Sequence, residues 1–333
     1  MSPSIQDVWV YVEHLRGTVT GHTYELLGKS RDLAGALGGR VVAVLLGNGV
    51  QSLAGTLGAA DRVVCVEDPA LAEFTPQAHG AVLRALAEQQ APRLLIFGAT
   101  SLGMDLAALL AGNLGMPLIV NCREIGVEDG RLVATSQMCG GKLLCEAEIG
   151  DQPAVATIPS GAFPAEKGTS DRPPQIESVP LPVSAEALRM RPVRLLEPAA
   201  GDVDISRVPV LVAVGRGIQR KENLPMAEDL ASLLGGAVCS SRPVVDQGWL
   251  PLSRQVGKSG MIVKPRLYLA LGISGAPEHV EGMKDSDLII AVNADPKAPI
   301  FNVADYGVAV DLFELLPLLT QEIEKRKGLA AAS

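Results

Sequence analysis

Strand-like apolar runs alternate with helix-like amphipathic ones along most of the chain, and the strands end on glycine or small polar residues. In the first half, strand patterns over 8–12, 41–46, 62–66, 94–97 and 117–120 are separated by helical patterns over 24–37, 50–57, 76–89 and 105–114. A second series begins at 208–214 and continues through a helix over 223–234 and strands at 237–238, 267–271, 288–292 and 307–310. Such a rhythm is that of parallel sheets covered on both faces by helices, because strands buried on both sides read as continuous apolar runs. The apolar share is 47% and aromatics are only 3%, so Ala, Val, Leu and Ile must build these cores. The expected fold class is α/β, in two domains, each a mostly parallel sheet with flanking helices.

At 333 residues the chain has the length of two ordinary domains. The region 159–204 is rich in Pro, Ser, Glu and Arg, with a strand-like 176–180 and an extended stretch over 189–203. We place the boundary near residue 205, giving a first domain over 1–204, a second over 205–320 and a tail over 321–333. Between 123 and 158 the pattern changes. REIGVED, RLVATSQM, KLLCEAEI and AVATI follow closely on one another, separated by Asp129-Gly130, Gly140-Gly141 and Gly150-Asp151, which predicts antiparallel hairpins added to the sheet.

With 29 Lys and Arg against 37 Asp and Glu, the net charge is −8, which argues against a nucleic-acid partner. No run of 18 or more uncharged apolar residues occurs, so no membrane-spanning helix is expected. The N-terminus enters a strand pattern directly, without the features of a signal peptide. The five cysteines, Cys65, Cys122, Cys139, Cys145 and Cys239, form no Cys-x-x-Cys pair. That suits reduced thiols in a cytoplasm-like compartment, with neither a metal nor a disulfide framework. Cys139 and Cys145 flank a hairpin turn, where they read as buried small hydrophobes, although facing strand cysteines are conceivable. His14, His22 and His79 stand without carboxylate or cysteine company and read as surface or structural residues.

Two glycine turns are candidates for holding an anion. Gly98 to Gly103 lies between a strand and a helix, but no Gly-Lys-Ser/Thr follows, so it reads as an ordinary turn with Thr100 or Ser101 as N-cap. Gly215-Arg216-Gly217 ends the apolar strand 208–214. It reads either as a cradle in which backbone amides and Arg216 meet a phosphate, or as a glycine turn with a surface arginine. Further polar strand ends follow at 239–242, 254–260, 272–279, 293 and 311–312. In an open parallel sheet these ends converge on one crevice. Its glycines, hydroxyls, cations and single histidine, without paired carboxylates or a Cys/His nucleophile, suit holding an anionic cofactor.

These runs, GRG at 215–217, SSR at 240–242, VDQGW at 245–249, QVGKSG at 255–260, LGISGAPEH at 271–279, GMKDS at 282–286, DPKAPIF at 295–301 and ADYGVAVDL at 304–312, resemble the α subunit of electron transfer flavoprotein in order and spacing. The first half resembles the same family through less specific motifs. The resemblance implies a Rossmann-like second domain that binds FAD non-covalently. It implies that Arg216 and Ser241 meet the cofactor's phosphates or adenylate side. Arg242 would lie over the flavin ring, and Gln255, Val256, Gly257, Lys258 and Ser259 would form a loop against it. Ser259, standing where many members carry Thr, would approach N5. His279 would face the pyrimidine carbonyl and stabilise negative charge on the reduced ring. Gly272 and the stretch Ser274, Gly275, Ala276, Pro277, Glu278 and His279 would surround the pyrophosphate with amide donors. Asn293, Asp311 and Leu312 would hold the adenosine end.

The implied role is electron carriage, not the transformation of a bound substrate. A β subunit would dock on the first domain, flavin dehydrogenases such as those acting on acyl-CoA, or NADH, would supply electrons, and a membrane quinone oxidoreductase would receive them. Arg254 and the N-terminal VWVYVEH lean toward the flavin-bifurcating members, in which the β subunit holds a second FAD in place of AMP. Two other readings stay open on the residues alone. One is a soluble nicotinamide-nucleotide-dependent oxidoreductase using the same crevice, with His279 as its acid or base. The other is a nucleotide-sensing scaffold without a redox role.

Overall fold

Two parallel sheets, each with helices on both faces, organise the chain, as the alternating pattern requires. The computed structural model describes residues 6–15, 17–139, 142–184, 186, 188–194 and 203–328. Gly140-Gly141, residues 195–202 of the extended stretch and residues 329–333 of the expected tail lie outside these. The chain divides into two compact units, Met1–Leu195 and Leu196–Ser333.

The first unit opens with β1 (Val8–Tyr11), a short hairpin of β2 (His14–Leu15) and β3 (Thr18–Val19), and α1 (Gly21–Leu37). It continues through β4 (Val41–Gly47), α2 (Gln51–Ala54), β5 (Arg62–Glu67), α3 (Pro76–Gln90), β6 (Leu94–Gly98) and α4 (Ser101–Leu114). The short β7 (Leu118–Ile119) follows, then β8 (Cys122–Glu128), β9 (Arg131–Met138), β10 (Leu143–Ile149), β11 (Ala154–Ile158) and β12 (Gln175–Ser178). Seven strands pair in the order β12-β5-β4-β1-β6-β11-β7, every pairing parallel. Val8 and Val10 of β1 pack into one apolar layer while Trp9 and Tyr11 pack into the other, so strand alternation serves two cores at once. The helices begin where the sequence offers a cap. Thr20, Thr75 and Thr100 accept from the backbone N–H three residues on, satisfying donors that the first turn leaves unpaired. Thr100 is therefore an N-cap, as expected for the Gly98 to Gly103 turn.

Several expectations are corrected here. Residues 154–158 are not part of a hairpin: β11 is a parallel strand between β6 and β7. All five of its residues are buried, and a strand covered on both faces gains more by sheet-centre pairing than a half-wet hairpin strand does. The hairpins of 122–149 form a separate antiparallel sheet, β10-β9-β8, tied to the unit by Cys122, Ile125, Leu132, Ala134 and Ile149. Cys139 and Cys145 are exposed, because the far end of this hairpin extends past that apolar anchor. The register sets Cys145 opposite Ser136, so the two cysteines do not face each other. The helix expected over 50–57 is only the single turn of α2.

The second unit contains β13 (Val210–Val214), α5 (Leu224–Leu234), β14 (Ala237–Ser240), α6 (Arg242–Asp246), β15 (Leu267–Leu271), α7 (Pro277–Val280), β16 (Ile289–Asn293), β17 (Tyr306–Ala309) and α8 (Leu312–Arg326). Its five strands run in the order β14-β13-β15-β16-β17, again all parallel. The chain moves from β13 outward to β14, then returns to lay β15 on the other side of β13. The gap between the β13 and β15 ends is thus the topological switch point, where open α/β sheets place their ligands. Residues 321–326, expected as tail, are the last turns of α8. Among the described residues no helix is long and apolar enough to cross a membrane, and no cluster of His, Cys, Asp and Glu could hold a metal.

Candidate functional site

A cavity of about 830 Å³ lies at this switch point, walled by the carboxyl ends of β13, β14, β15 and β16. That volume falls in the ~300–1,000 Å³ range of small-molecule sites. Glycine creates the opening. The Gly215 amide donates to Leu271 O at 2.9 Å and the Gly217 amide to Gly272 O at 3.1 Å, which carries the β13–β15 ladder into the loops. A Cβ on Gly272 would lie 2.6 Å from the Gly217 Cα, and Gly272 itself has φ +62°. Two strand ends therefore meet backbone to backbone, which only glycine permits.

Arg216 and Gly217 line the cavity above β13. From β14 the chain passes into Ser241, whose amide donates to Val214 O at 3.0 Å, and then into Arg242 at the start of α6. Arg242 pairs with Asp246 at 3.3 Å, and its side chain is 68% exposed. Such a surface pair is weak, so the guanidinium is available to a ligand.

The loop 255–261 is fastened on two sides. The Val256 amide donates to Ser240 O at 2.9 Å, and the Lys258 amide to Glu278 O at 2.7 Å. Gln255 is buried and donates through Nε2 to Ser259 Oγ at 2.9 Å, holding the hydroxyl proposed to approach N5. Gly257, at φ +134°, passes so close to α7 that a Cβ would lie 2.8 Å from Glu278 O.

After β15 the lining continues through Gly272, Ile273, Ser274, Ala276, Glu278 and His279. Gly275, at φ +85°, turns its backbone against Ile300 and does not line the cavity. The helix that follows is a single four-residue turn beginning at Pro277. Pro277 has no N–H, and the His279 amide already donates to Ala276 O at 2.9 Å. The expected set of amide donors over 274–279 is reduced accordingly. Asn293 lines the cavity but is engaged as a brace. Its Nδ2 donates to Ile273 O at 2.8 Å, and its Oδ1 accepts from the Asp295 amide at 2.9 Å.

Asp311 and Leu312 are not among the lining residues. They continue the same sheet edge, since Ala309 is the register partner of Asn293. Asp311 caps α8 through the Phe313 amide at 2.8 Å, and Leu312 is buried in the core beneath.

His279 is buried, with both ring nitrogens held by protein. Nε2 lies 2.9 Å from the Tyr268 hydroxyl and Nδ1 lies 3.1 Å from Val256 O. Burial pushes the imidazole down to about 4, against a smaller upward pull from the Val256 carbonyl, so the ring is neutral at pH 7. It does not supply the positive charge. Among the lining residues that charge comes from Arg216, Arg242 and Lys258, opposed by the carboxylate of Glu278. A cavity with this excess of cations, beside hydroxyls and apolar walls from Pro243 and Ile273, fits a dinucleotide with a doubly negative pyrophosphate and a flat ring. Gly217, Pro243 and Ile273 are lining residues that sequence reasoning did not select. Gly217 was visible in the Gly215-Arg216-Gly217 run, whereas Pro243 and Ile273 carry no chemical signature.

The electron transfer flavoprotein domain family matches residues 8–184, and the electron transfer flavoprotein FAD-binding domain family matches residues 204–284. Protein FixB of Clostridium saccharobutylicum is 38% identical over 323 residues, covering 96% of this chain and 96% of that protein. The electron transfer flavoprotein subunit alpha of Bacillus subtilis is 39% identical over 313 residues, covering 93% and 94%. The acryloyl-CoA reductase electron transfer subunit beta of Anaerotignum propionicum is 33% identical over 357 residues, covering 98% and 97%.

Proposed function

The chain belongs to the electron transfer flavoprotein α-subunit family, with FAD as its cofactor, and we propose that it is the flavin-holding half of a two-subunit electron carrier. It pairs with a β subunit, takes electrons from flavin dehydrogenases and passes them to a membrane quinone oxidoreductase. A relative that serves an acryloyl-CoA reductase favours donors that act on CoA thioesters. The observation that carries this reading is the cation-rich cavity at the switch point of the second sheet.

Bound there, FAD supplies reversible uptake and release of electrons, and the protein's part is to hold and tune it. Arg216 and Ser241 would meet the phosphates, beside the backbone of Gly272, Ser274 and Ala276, with Gly275 turning that loop against Ile300. Arg242 leaves its surface pair with Asp246 to lie over the ring, where a fixed cation favours any form carrying negative charge. Gln255 orients Ser259 toward N5, and Val256, Gly257 and Lys258 close the loop over the same edge. His279 would face the pyrimidine side as an uncharged ring held in place by Tyr268 and Val256. Asn293 would bound the adenosine end, with Asp311 and Leu312 supporting the sheet edge beyond it as helix cap and core residue, and Glu278, next to Pro277, would form the rim.

Co-expression with the β subunit and gentle purification tests the proposal. Flavin absorbance that is bleached by a dehydrogenase and its acyl-CoA substrate is the expected result. A complex without flavin that takes up no FAD would overturn it, as would hydride exchange with NADH by this chain alone. Counting nucleotides per heterodimer sorts the two kinds of carrier. One FAD with one AMP marks a simple carrier, and two FAD mark the bifurcating kind toward which Arg254 and the N-terminal motif lean.

A further inference from the structure

Behind His279 stand two groups that do not line the cavity. Tyr268, on β15, is completely buried, as is Cys239 on β14. The tyrosine hydroxyl meets His279 Nε2 at 2.9 Å, and Cys239 belongs to the same apolar core cluster as Tyr268. On the other side of the imidazole, Nδ1 lies 3.1 Å from the carbonyl of Val256, a lining residue.

The direction of every bond in this chain follows from the chemistry of its ends. A backbone carbonyl only accepts, so Nδ1 must carry the proton that it donates to Val256 O. A neutral imidazole then has its lone pair on Nε2 and needs a donor there. The Tyr268 hydroxyl supplies one. Burial raises the Tyr268 phenol well above its ordinary range and pushes the Cys239 thiol up to about 12, so both keep their protons at neutral pH. Both ring nitrogens and the phenol proton are satisfied, which matters because an unpaired buried donor or acceptor costs ~1–3 kcal/mol.

We propose that Tyr268 is a positioning residue that holds His279 as the neutral tautomer protonated on Nδ1. The edge carrying that proton is the one shared with the cavity wall, and the lone pair is turned into the core. His279 then presents the cavity with an uncharged ring whose one N–H is engaged by Val256 O, leaving Arg242 and its neighbours as the source of positive potential. The inference rests on reading this cavity as the flavin's, but the tautomer belongs to the protein and is measured without reference to electron transfer. A chain that fails to bind FAD would overturn the functional reading and leave the tautomer to be decided on its own.

The test is the imidazole ¹⁵N spectrum of the αβ complex at pH 7 with this chain alone labelled, made tractable by its four histidines, with His279 assigned by loss of its signals in His279→Asn. The expected wild-type pattern is a protonated Nδ1 and an unprotonated Nε2. An Nε2-protonated or cationic ring would overturn the proposal.

In Tyr268→Phe, which removes the donor and keeps the ring, the single pattern is expected to give way to a mixture, and the flavin midpoint potential to shift. A wild-type pattern and potential in that variant would overturn Tyr268's role. Should Tyr268→Phe not fold, 3-fluorotyrosine incorporation strengthens the donor without removing it. A shifted Nε2 resonance then supports the proposal, and an unmoved one overturns it.

Discussion

At the switch point of the seven-stranded sheet, between β1 and β6, Glu13 Oε1 accepts from Thr100 Oγ1 at 2.7 Å. A Cβ on Gly98 would lie 2.8 Å from His22 Nδ1 and 3.0 Å from that same Glu13 oxygen. At the matching point of the five-stranded sheet, between β13 and β15, the glycines face one another's backbone, and a cavity of about 830 Å³ lies beside them. Both sheets are parallel and both reverse direction beside their first strand; glycine ends β6 in the first unit and follows both β13 and β15 in the second. In the first unit the space vacated by glycine is taken by a carboxylate and an imidazole. In the second, backbone packs on backbone, and the side chains that remain are long cations standing around the opening. Topology thus marks where a ligand could bind, while the residues opposite the glycines decide whether that place is filled from within.

Acid should separate the two units most strongly. Burial pushes His22 and His79 in the first unit, and His279 in the second, down to about 4. Unfolded histidine binds its proton near 6.5, so each contribution is complete above that pH and is lost as the pH falls toward 4. At roughly 3 kcal/mol per histidine, the first unit loses about twice what the second does. Glu13, held up by burial, works with the opposite sign and narrows the gap. Hydrogen exchange resolved by unit between pH 7 and 4 measures this, and equal losses would break the comparison.

Next in size is the glycine contrast. Gly272→Ala forces a φ of +62° on a side chain and drives a Cβ against Gly217. It should cost the second unit about 3 kcal/mol and abolish flavin retention. Gly98→Ala meets a histidine ring and a carboxylate that are able to shift, so about 1–2 kcal/mol is expected. Denaturant unfolding of the two variants decides whether backbone opposition is the stricter constraint.

Arg242→Ala should weaken FAD binding roughly tenfold, or ~1.4 kcal/mol, and lower the flavin potential. An unchanged potential in a variant that retains FAD would remove Arg242 from the tuning role. The smallest effect is expected for Glu13→Gln. It keeps an acceptor for Thr100 and removes a charge that burial already disfavours, so stability should change by less than about 1 kcal/mol.

Much of this was legible in the chain because it depends on local pattern. The apolar runs of β1, β4, β6, β13 and β15, the Thr100 cap, and the Gly215-Arg216-Gly217 and Gly272 loops announce themselves through periodicity and turn chemistry. β11 did not, because a five-residue apolar run after a Gly-Asp turn looks the same whether it closes a hairpin or enters the centre of a parallel sheet. Only the neighbours β6 and β7 distinguish the two. Cys139 and Cys145 misled for a related reason: residue type suggests burial, but exposure depends on how far a hairpin reaches past its anchor. Tyr268 was the least visible of all, since a tyrosine inside an apolar strand reads as core, which it also is.

The sequence by itself determined the two α/β units, the positions at which strands must stop, and the stock of cations, hydroxyls and one histidine at those stops. These follow from propensities and spacings that act over a few residues. The tertiary structure decided which stops share a cavity, that Asn293 braces a loop while Asp311 caps a helix, and that His279 is neutral. It did so because folding α7 back over β15 sets the Tyr268 hydroxyl against His279 in the core, and the charge of a buried group is settled by its surroundings in space.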